Sequence, residues 1–289
     1  MNQKNKAYNP EWAKYVNLWK GIGPPWRPNK NQVSFYEAYL KKQAKKNSRL
    51  KVLIFGATPE TRDLCAKLKL HVTCLDSNQS MYQGMKELMS EETEKETFVC
   101  GKWEKTGEYF KENEFDIVFT DETQCNMALT AWKKNFQDIF KILKKDGLYF
   151  CAMVCMDFQE KMTFDLAFKQ YKENPKSFST FQDRVYIFYQ LCLEYSYNWK
   201  KRGCVFQDLR KKIINYAKVN KISQEILIRV WPLIDDMEHD VWGDYIEVDP
   251  PLGEVYEHLI PNFYIEDAYF DRSHPVYRFR RDFVLKPKI

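Results

Sequence analysis

Residues 51–76, KVLIFGATPETRDLCAKLKLHVTCLD, contain in order a strand, a glycine turn, a helix start and a second strand that ends in a carboxylate. The apolar run Val52–Phe55 is typical of a strand that is covered on both faces. Gly56 follows where the backbone can approach a ligand closely, and the threonine–proline pair at 58–59 suits a helix N-cap and first turn. Asp76 lies twenty residues after Gly56, where an acid can accept hydrogen bonds from ribose hydroxyls. The stretch therefore predicts the β-α-β half of a nucleotide-binding fold.

The alternation of strand and helix continues to residue 154. Further strands are predicted at Thr97–Cys100, Phe115–Thr120 and Leu148–Val154, and helices at Met81–Met89 and from Leu129 to Leu143, where apolar residues fall on one face. Gly147 is expected to reverse the chain after the second of these helices. Such alternation predicts a parallel sheet with helices on both faces.

The remainder of the chain departs from this pattern. Residues 157–261 lack the alternation and are predicted to be helical. Phe263–Phe270 and Val276–Leu285 are β-rich runs separated by the turn-like DRSHP, and they predict an antiparallel hairpin that closes the sheet. The expected fold class is α/β: a Rossmann-like, doubly wound, mainly parallel sheet with a C-terminal antiparallel hairpin and a helical insertion.

The composition limits the classes of protein that the chain can represent. Its 289 residues are 16% aromatic, which predicts a packed body rather than a disordered chain. The net charge is only +5, and the basic runs at 41–51, 200–203 and 210–212 are more typical of solvated helix faces than of a nucleic-acid surface. The polar start and the lack of a long apolar run indicate a cytoplasmic protein with no membrane partner. The eight cysteines form no C-x-x-C pair, so no metal site is expected.

The order of these elements resembles that of the class I S-adenosylmethionine-dependent methyltransferases. The likeness covers residues 48–156 and 262–286, and it implies a methyltransferase with S-adenosyl-L-methionine as its cofactor. The predicted domains are an N-terminal helical or lid segment at 1–47, an S-adenosylmethionine-binding Rossmann-like domain at 48–156 plus 262–289, and a helical insertion at 157–261 that caps the substrate.

The resemblance also implies the residues that hold the donor. The glycine turn would line the methionine moiety, and the acid that ends the second strand would bind the ribose. The run DSNQSM at 76–81 resembles the acid-x-serine-x-x-methionine pattern of the family, which would pack a methionine against the adenine. Lys102 and Trp103 stand where many members keep an acid and a hydrophobe, and the indole can stack on the base. The implied cofactor-binding residues are Gly56, Ala57, Thr58, Glu60, Asp76, Met81, Lys102, Trp103, Asp121 and Arg27.

Two further segments resemble a subset of these enzymes. The leader GPPWRPNKNQVSFYEAYL at 23–40 would place Arg27 opposite the donor carboxylate. The run DETQCN at 121–126 resembles the aspartate-to-asparagine turn after the fourth strand, and it implies Asp121 and Asn126 as catalytic residues. It does not resemble the N/D-P-P-Y/F signature of amino-directed DNA methyltransferases, so a DNA target is disfavoured.

Several alternatives stay open at this point. The leading hypothesis is a small-molecule acceptor, and the aromatic, acid-lined stretch 231–256 suits a cationic or amine-bearing one. Candidates for a general base, should one be needed, are Asp121, Glu122, Asp235, His239 and Tyr245. The competing hypotheses are a non-catalytic donor-binding or partner-binding module, an RNA methyltransferase and, less favoured, an NAD-dependent reductase. The oligomeric state is left open.

Overall fold

The computed structural model describes residues 16, 19–92, 95–156, 161–230 and 246–288. Its main sheet has seven strands in the order β3-β2-β1-β4-β5-β10-β9. These strands are β1 (Lys51–Phe55), β2 (His71–Asp76), β3 (Glu96–Cys100), β4 (Phe115–Asp121), β5 (Leu143–Val154), β9 (Phe263–Tyr269) and β10 (Arg280–Pro287). Neighbours among β1 to β5 are parallel, whereas β10 is antiparallel to both β5 and β9. The predicted doubly wound sheet with a C-terminal hairpin is confirmed.

Helices cover both faces of this sheet, because the buried strands present apolar side chains on each side. The helices are α1 (Lys30–Lys46), α2 (Pro59–Lys67), α3 (Gln79–Lys86), α4 (Thr106–Tyr109), α5 (Leu129–Ile142), α6 (Phe164–Glu173), α7 (Phe181–Tyr195), α8 (Phe206–Val219), α9 (Gln224–Val230) and α10 (Leu252–Leu259). On one face Leu53 packs in a core with Trp132 of α5, and on the other Ile54 packs with Leu40 of α1. The α/β sandwich therefore has two separate cores.

The insertion contains strands as well as helices, which corrects the helical prediction for residues 157–261. Tyr197–Asn198 (β6), Gly203–Val205 (β7) and Ile246–Val248 (β8) form a small antiparallel sheet in the order β6-β7-β8. Strands of two or three residues are too short to show a period in the sequence. Gly203 permits the pairing, because a Cβ there would lie 2.2 Å from the carbonyl oxygen of Glu247.

Two predicted details of the sheet domain are wrong. Gly147 does not reverse the chain after α5; it lies within β5, where a Cβ would come within 2.9 Å of the Asp116 carbonyl oxygen. Glycine is therefore required by close strand approach rather than by a helix end. The run that begins at Val276 does not start as a strand either, since Pro275–Phe279 forms a 3-10 turn and β10 begins at Arg280.

Candidate active site

The carboxyl ends of β1 and β2 are joined at a glycine turn. Gly56 has φ +80°, a conformation that side chains rarely adopt, and its N–H donates to the Leu75 carbonyl oxygen over 2.8 Å. A Cβ at this position would lie 3.8 Å from Asp76 Oδ2 and 3.8 Å from Trp103 Cζ2. The structure thus brings together three of the predicted donor-binding residues, and the glycine leaves the space between the carboxylate and the indole open.

Asp76 is a buried carboxyl group that the main chain of the next two residues stabilises. Its Oδ1 accepts a hydrogen bond from the Asn78 N–H over 2.7 Å, while Oδ2 is turned toward Gly56. Burial raises the pKa of Asp76 to about 6, and the main-chain N–H groups of Asn78 and Ser77 oppose that rise. Around neutral pH this group is therefore an ionised, preorganised acceptor at the end of β2.

Trp103 lies against the same edge of the sheet. Its indole N–H donates to the Leu75 carbonyl oxygen over 2.8 Å, which fixes the half-buried ring beside the glycine turn. Lys102 is exposed, and its backbone N–H donates to the Tyr109 hydroxyl over 3.2 Å. Met81 lies in the first turn of α3, where it is partly buried. The adenine-side roles of these residues stay predictions.

Thr58 precedes α2 but does not cap it, which corrects the predicted helix cap. Its side chain instead lies beside Asp121 at the end of β4, where it lowers the pKa of that carboxyl group, and Asp121 in turn raises the pKa of Glu60. A carboxylate is a stronger partner for the hydroxyl than a backbone N–H group is. The contact joins the glycine turn to the predicted methyl-transfer side of the site.

Arg27 is paired with Glu60 in the first turn of α2. Its Nη2 and Nε lie 2.5 Å and 2.8 Å from Glu60 Oε1, and its Nη1 donates to the Trp19 carbonyl oxygen over 2.7 Å. Glu60 Oε2 is buried and has no hydrogen-bond partner among the described residues. The guanidinium therefore ties the N-terminal segment to α2, and the free carboxylate oxygen remains available beside the turn.

Arg280, which the sequence reasoning missed, is a buried cation that pairs with the acids at the predicted methyl-transfer side. Its buried guanidinium lies 2.7 Å from Asp121, 3.1 Å from Glu122 and 3.0 Å from Asp282, and it donates to the Pro25 carbonyl oxygen. Burial works against the charge, but these acids raise the pKa of Arg280 well above its ordinary value. The signal in the sequence was a charged R-R-D run at the start of a strand that pairs with β5 on one side and β9 on the other.

Asp121 and Glu122 are consecutive residues that face two different regions. Glu122 has φ +55°, a conformation that is uncommon outside glycine, and the Asn126 amide donates to its carbonyl oxygen over 2.8 Å. Glu122 lies near two acids of the insertion, Glu247 in β8 and Asp249 directly after it. Glu247 raises the pKa of Glu122, and Glu122 raises the pKa of Asp249. Asn126 therefore holds this turn, and its predicted catalytic role is untested.

The insertion supplies the other wall of this region. Tyr189 of α7 donates to Glu247 Oε1 over 3.3 Å and accepts from the Trp26 indole N–H over 2.6 Å. Burial raises the pKa of Glu122, Glu247 and Asp249 well above ordinary carboxyl values. The alternative bases Asp235, His239 and Tyr245 lie outside the described residues. Sequence reasoning saw the acid-rich stretch but did not identify Glu247, Asp249 or Tyr189.

Comparison with known proteins agrees with this geometry. Residues 55–151 match the model of a family described as a methyltransferase domain. No curated protein matches the sequence. Together with the fold, this match identifies residues 55–151 as a methyltransferase domain of the class I type, which uses S-adenosylmethionine as its cofactor.

Solved structures at low sequence identity show the same fold. The CcbJ methyltransferase of Streptomyces caelestis aligns with a TM-score of 0.54 and 10% identity, over 95% of this chain and 96% of that one. A Burkholderia thailandensis 1,6-didemethyltoxoflavin-N1-methyltransferase, solved with its substrate and S-adenosylhomocysteine, gives 0.51 and 11%, over 96% and 86%. A Rhodobacter sphaeroides protein provisionally described as a Zn-dependent alcohol dehydrogenase gives 0.56 and 15%, over 99% and 100%. At such identities the likeness concerns the fold alone.

The described residues also bear on membrane spanning and metal binding. No helix among the described residues is long and apolar enough to cross a membrane. Within the same residues, no group of three or more His, Cys, Asp or Glu side chains is arranged to hold a metal ion.

Proposed function

We propose that the protein transfers the methyl group of S-adenosylmethionine to a small-molecule acceptor bound between the strand ends of the main sheet and the insertion. In this proposal residues 1–47 cover the site, 48–156 with 262–289 bind the donor, and 157–261 hold the acceptor. The observation that carries it is the pair Asp121–Glu122, since one residue contacts the glycine-turn side and the next faces the insertion.

The residues around the glycine turn fit the donor. Asp76 would accept hydrogen bonds from the ribose hydroxyls, and the free Oε2 of Glu60 would accept from the donor's ammonium group. Gly56 and Ala57 would line the methionine moiety, and Trp103 and Met81 would border the adenine. Arg27 acts through its ion pair with Glu60. S-adenosylmethionine supplies a methyl group already activated on a sulfonium, which the lone pair of an acceptor displaces to leave S-adenosylhomocysteine.

The work that remains for the chain is positioning and exclusion of water. Arg280 fixes Asp121 at 2.7 Å and Glu122 at 3.1 Å, so both sides of the turn are held by one planar group. Trp26 lies edge-on to Phe181 and Phe188, with ring centroids 5.6 Å and 5.9 Å away. This packing joins the N-terminal segment to the insertion and would shield the acceptor from solvent.

A second candidate is a donor-binding module without turnover. The observation that favours it is the position of Trp103, whose ring is held beside the glycine turn by a hydrogen bond to Leu75. Lys102 in place of the usual acid points the same way. No comparable observation favours an RNA methyltransferase.

Calorimetric titration with S-adenosylmethionine and S-adenosylhomocysteine, with NADH as control, tests the donor. Micromolar binding of the first two compounds alone is expected. Release of S-adenosylhomocysteine in the presence of pooled small-molecule nucleophiles then separates the two candidates, because tight binding without release under any pool indicates the non-catalytic module. Absence of donor binding by the folded protein would overturn the proposal.

A further inference from the structure

Three carboxyl groups meet where the turn after β4 packs against the insertion, and we call Glu122, Glu247 and Asp249 the acid cluster. Their exposed fractions are 8%, 4% and 0%. Each raises the pKa of another, Glu247 acting on Glu122, Asp249 on Glu247, and Glu122 on Asp249. The turn Gln124–Asn126, which begins two residues after Glu122, packs against β8, and β8 carries Glu247 and is followed directly by Asp249, so the three groups lie in one region. Buried acids in this arrangement are costly unless something compensates them.

The compensation is missing on the insertion side of the cluster. Neither oxygen of Asp249 has a hydrogen-bond partner among the described residues, and Oε2 of Glu247 lacks one as well. The Cys125 thiol lies beside Asp249 and lowers its pKa, but a thiol is a weak donor and does not replace a full hydrogen-bond partner for a buried carboxyl group. Most buried side-chain oxygens in proteins have partners, so three unpartnered ones in adjacent carboxyl groups point to a missing donor.

The charges of the surroundings define what that donor is. Apart from Glu122, the titratable groups that interact with Glu247 or Asp249 are tyrosines and cysteines, and none of them is a cation: Tyr189, Tyr197, Cys125, Cys155, Cys192 and Cys204. Within the acid cluster, the described ion pairs of Arg280 include Glu122 but neither Glu247 nor Asp249. The same guanidinium also pairs with Asp121 and Asp282. The described part of the site therefore holds an excess of carboxyl groups over cations.

A group of aromatic rings meets the cluster at Tyr189. Tyr189, which donates to Glu247, has its ring centroid 6.3 Å from that of Trp26 and 5.1 Å from that of Phe279. Trp26 continues the shell to Phe181 and Phe188. Aromatic faces attract cations and also pack against apolar skeletons. An ammonium carried on an aromatic or apolar skeleton satisfies both features.

We propose that the acid cluster binds the amino group of the acceptor, so that the substrates are amines on an aromatic or apolar skeleton and the nitrogen is the methylated atom. This inference rests on the proposed function, because it names the substrate class of the same site. Glu247 and Asp249 hold the ammonium by hydrogen bonds to their unpartnered oxygens. Glu122 links the bound amine to Asp121 and to the donor side.

The cluster also removes the proton that would block the reaction. An ammonium has no lone pair, so one N–H proton must move to a carboxylate oxygen before the nitrogen can attack. The N–H bond breaks, its electron pair stays on nitrogen, and the proton forms an O–H bond on Glu247 or Asp249. The bound ammonium favours the ionised form of these carboxyl groups, and burial, which raises their pKa, makes the resulting carboxylate a better proton acceptor than an ordinary one.

Binding of matched amines and alcohols tests the inference without relying on turnover. The full chain is first saturated with S-adenosylhomocysteine and then titrated calorimetrically with tryptamine and tryptophol, and with benzylamine and benzyl alcohol. We expect each amine to bind at least tenfold more tightly than its alcohol. Glu247→Gln and Asp249→Asn should each lower amine affinity at least tenfold while leaving the affinity for the alcohol and for S-adenosylhomocysteine unchanged.

The matched control is Glu254→Gln, which alters an acid of the insertion that pairs with Arg202 and lies outside the cluster. It should change none of these affinities. Equal affinity for amine and alcohol, no amine binding, or no effect of the variants would overturn the inference while donor binding keeps the proposed function standing. Loss of S-adenosylhomocysteine binding by the wild-type protein would instead remove the proposed function. The wild-type comparison decides the question even when a variant does not fold.

Discussion

Asp76 and Asp249 are both buried acids that follow or end a strand, yet they are built in opposite ways. Asp76 accepts a backbone N–H from Asn78 over 2.7 Å, and its pKa is raised only to about 6. Asp249 has no hydrogen-bond partner among the described residues, and its pKa is raised well above the ordinary value by burial and by Glu122. Asp76 is thus held by the main chain and, in the proposed function, accepts hydrogen bonds from the ribose hydroxyls. Asp249 is buried without a hydrogen-bond partner, and the proposed acceptor amine would supply one.

The largest expected effect comes from removing the cation that serves both regions. Arg280→Met would leave Asp121, Glu122 and Asp282 buried without their shared partner, and breaking such a buried pair costs about 3–5 kcal/mol. Urea unfolding measures this loss. Arg281→Met is the control on the same strand, since the guanidinium of Arg281 donates to the backbone carbonyls of Arg278 and Arg280 and lies over the Phe270 ring. Equal effects of the two substitutions would show that Arg280 has no special structural role.

Substitution of Asp76 is expected to weaken the binding of S-adenosylmethionine. Asp76→Ala should weaken S-adenosylmethionine binding by about 1–3 kcal/mol, the usual cost of losing a hydrogen bond to a charged group. Calorimetry on the folded variant measures it. Asp63→Ala on α2, whose carboxylate accepts from Ser90, is the control and should leave donor affinity unchanged. Unaltered affinity in Asp76→Ala would contradict the ribose assignment.

Replacing Glu247 of the acid cluster by an uncharged residue should stabilise the ligand-free protein at high pH. The unfolded chain ionises Glu247 at its ordinary pKa of 4.5, whereas the folded protein keeps the proton to higher pH. Stability is therefore lost as the pH rises above the ordinary value, and Glu247→Gln, which cannot ionise, avoids this loss. We expect near-equal unfolding free energies at pH 5 and an advantage of about 1 kcal/mol or more for the variant at pH 8. The prediction is refuted if the difference in unfolding free energy between the variant and the wild-type protein is the same at pH 5 and at pH 8.

The smallest effect is the pH dependence of donor affinity. Because ionised Asp76 is the better acceptor and its pKa is about 6, affinity for S-adenosylhomocysteine should rise with pH through that value and level off above it. The slope below the pKa is at most about tenfold per pH unit, the limit for one proton. Asp76→Asn should give a flatter profile between pH 5 and 7. A profile that the substitution leaves unchanged would assign the dependence to another group.

The sheet domain could be predicted from the sequence because its signals are local. The run at 51–76, the one-faced pattern of α5 and the C-terminal β-rich segments each show their period or turn chemistry within a few residues. The same local pattern pointed to Gly56 and Asp76 as neighbours in the site, and the family resemblance added Trp103. It failed at Gly147, where the need for glycine comes from Asp116 on the neighbouring strand.

The acceptor side could not be predicted, because its contacts join distant parts of the chain. Arg280 meets Asp121 across 159 positions, and Tyr189 meets Glu247 across 58. An arginine in a strand and an acid beside a proline are common in any sequence, and only the fold shows that they are buried together. The short strands β6 to β8, which carry Glu247 to its place, give no periodic signal of their own.

The turn Asp121–Glu122 has a consequence for how the two substrates influence each other. One guanidinium balances both carboxylates, so a ligand that changes the charge on one alters the electrostatic free energy of the other. Thermodynamic linkage then requires the reverse influence to be of equal size. If the donor favours acceptor binding by some factor, the acceptor favours donor binding by that factor, and the methylated product shares in the same cooperativity.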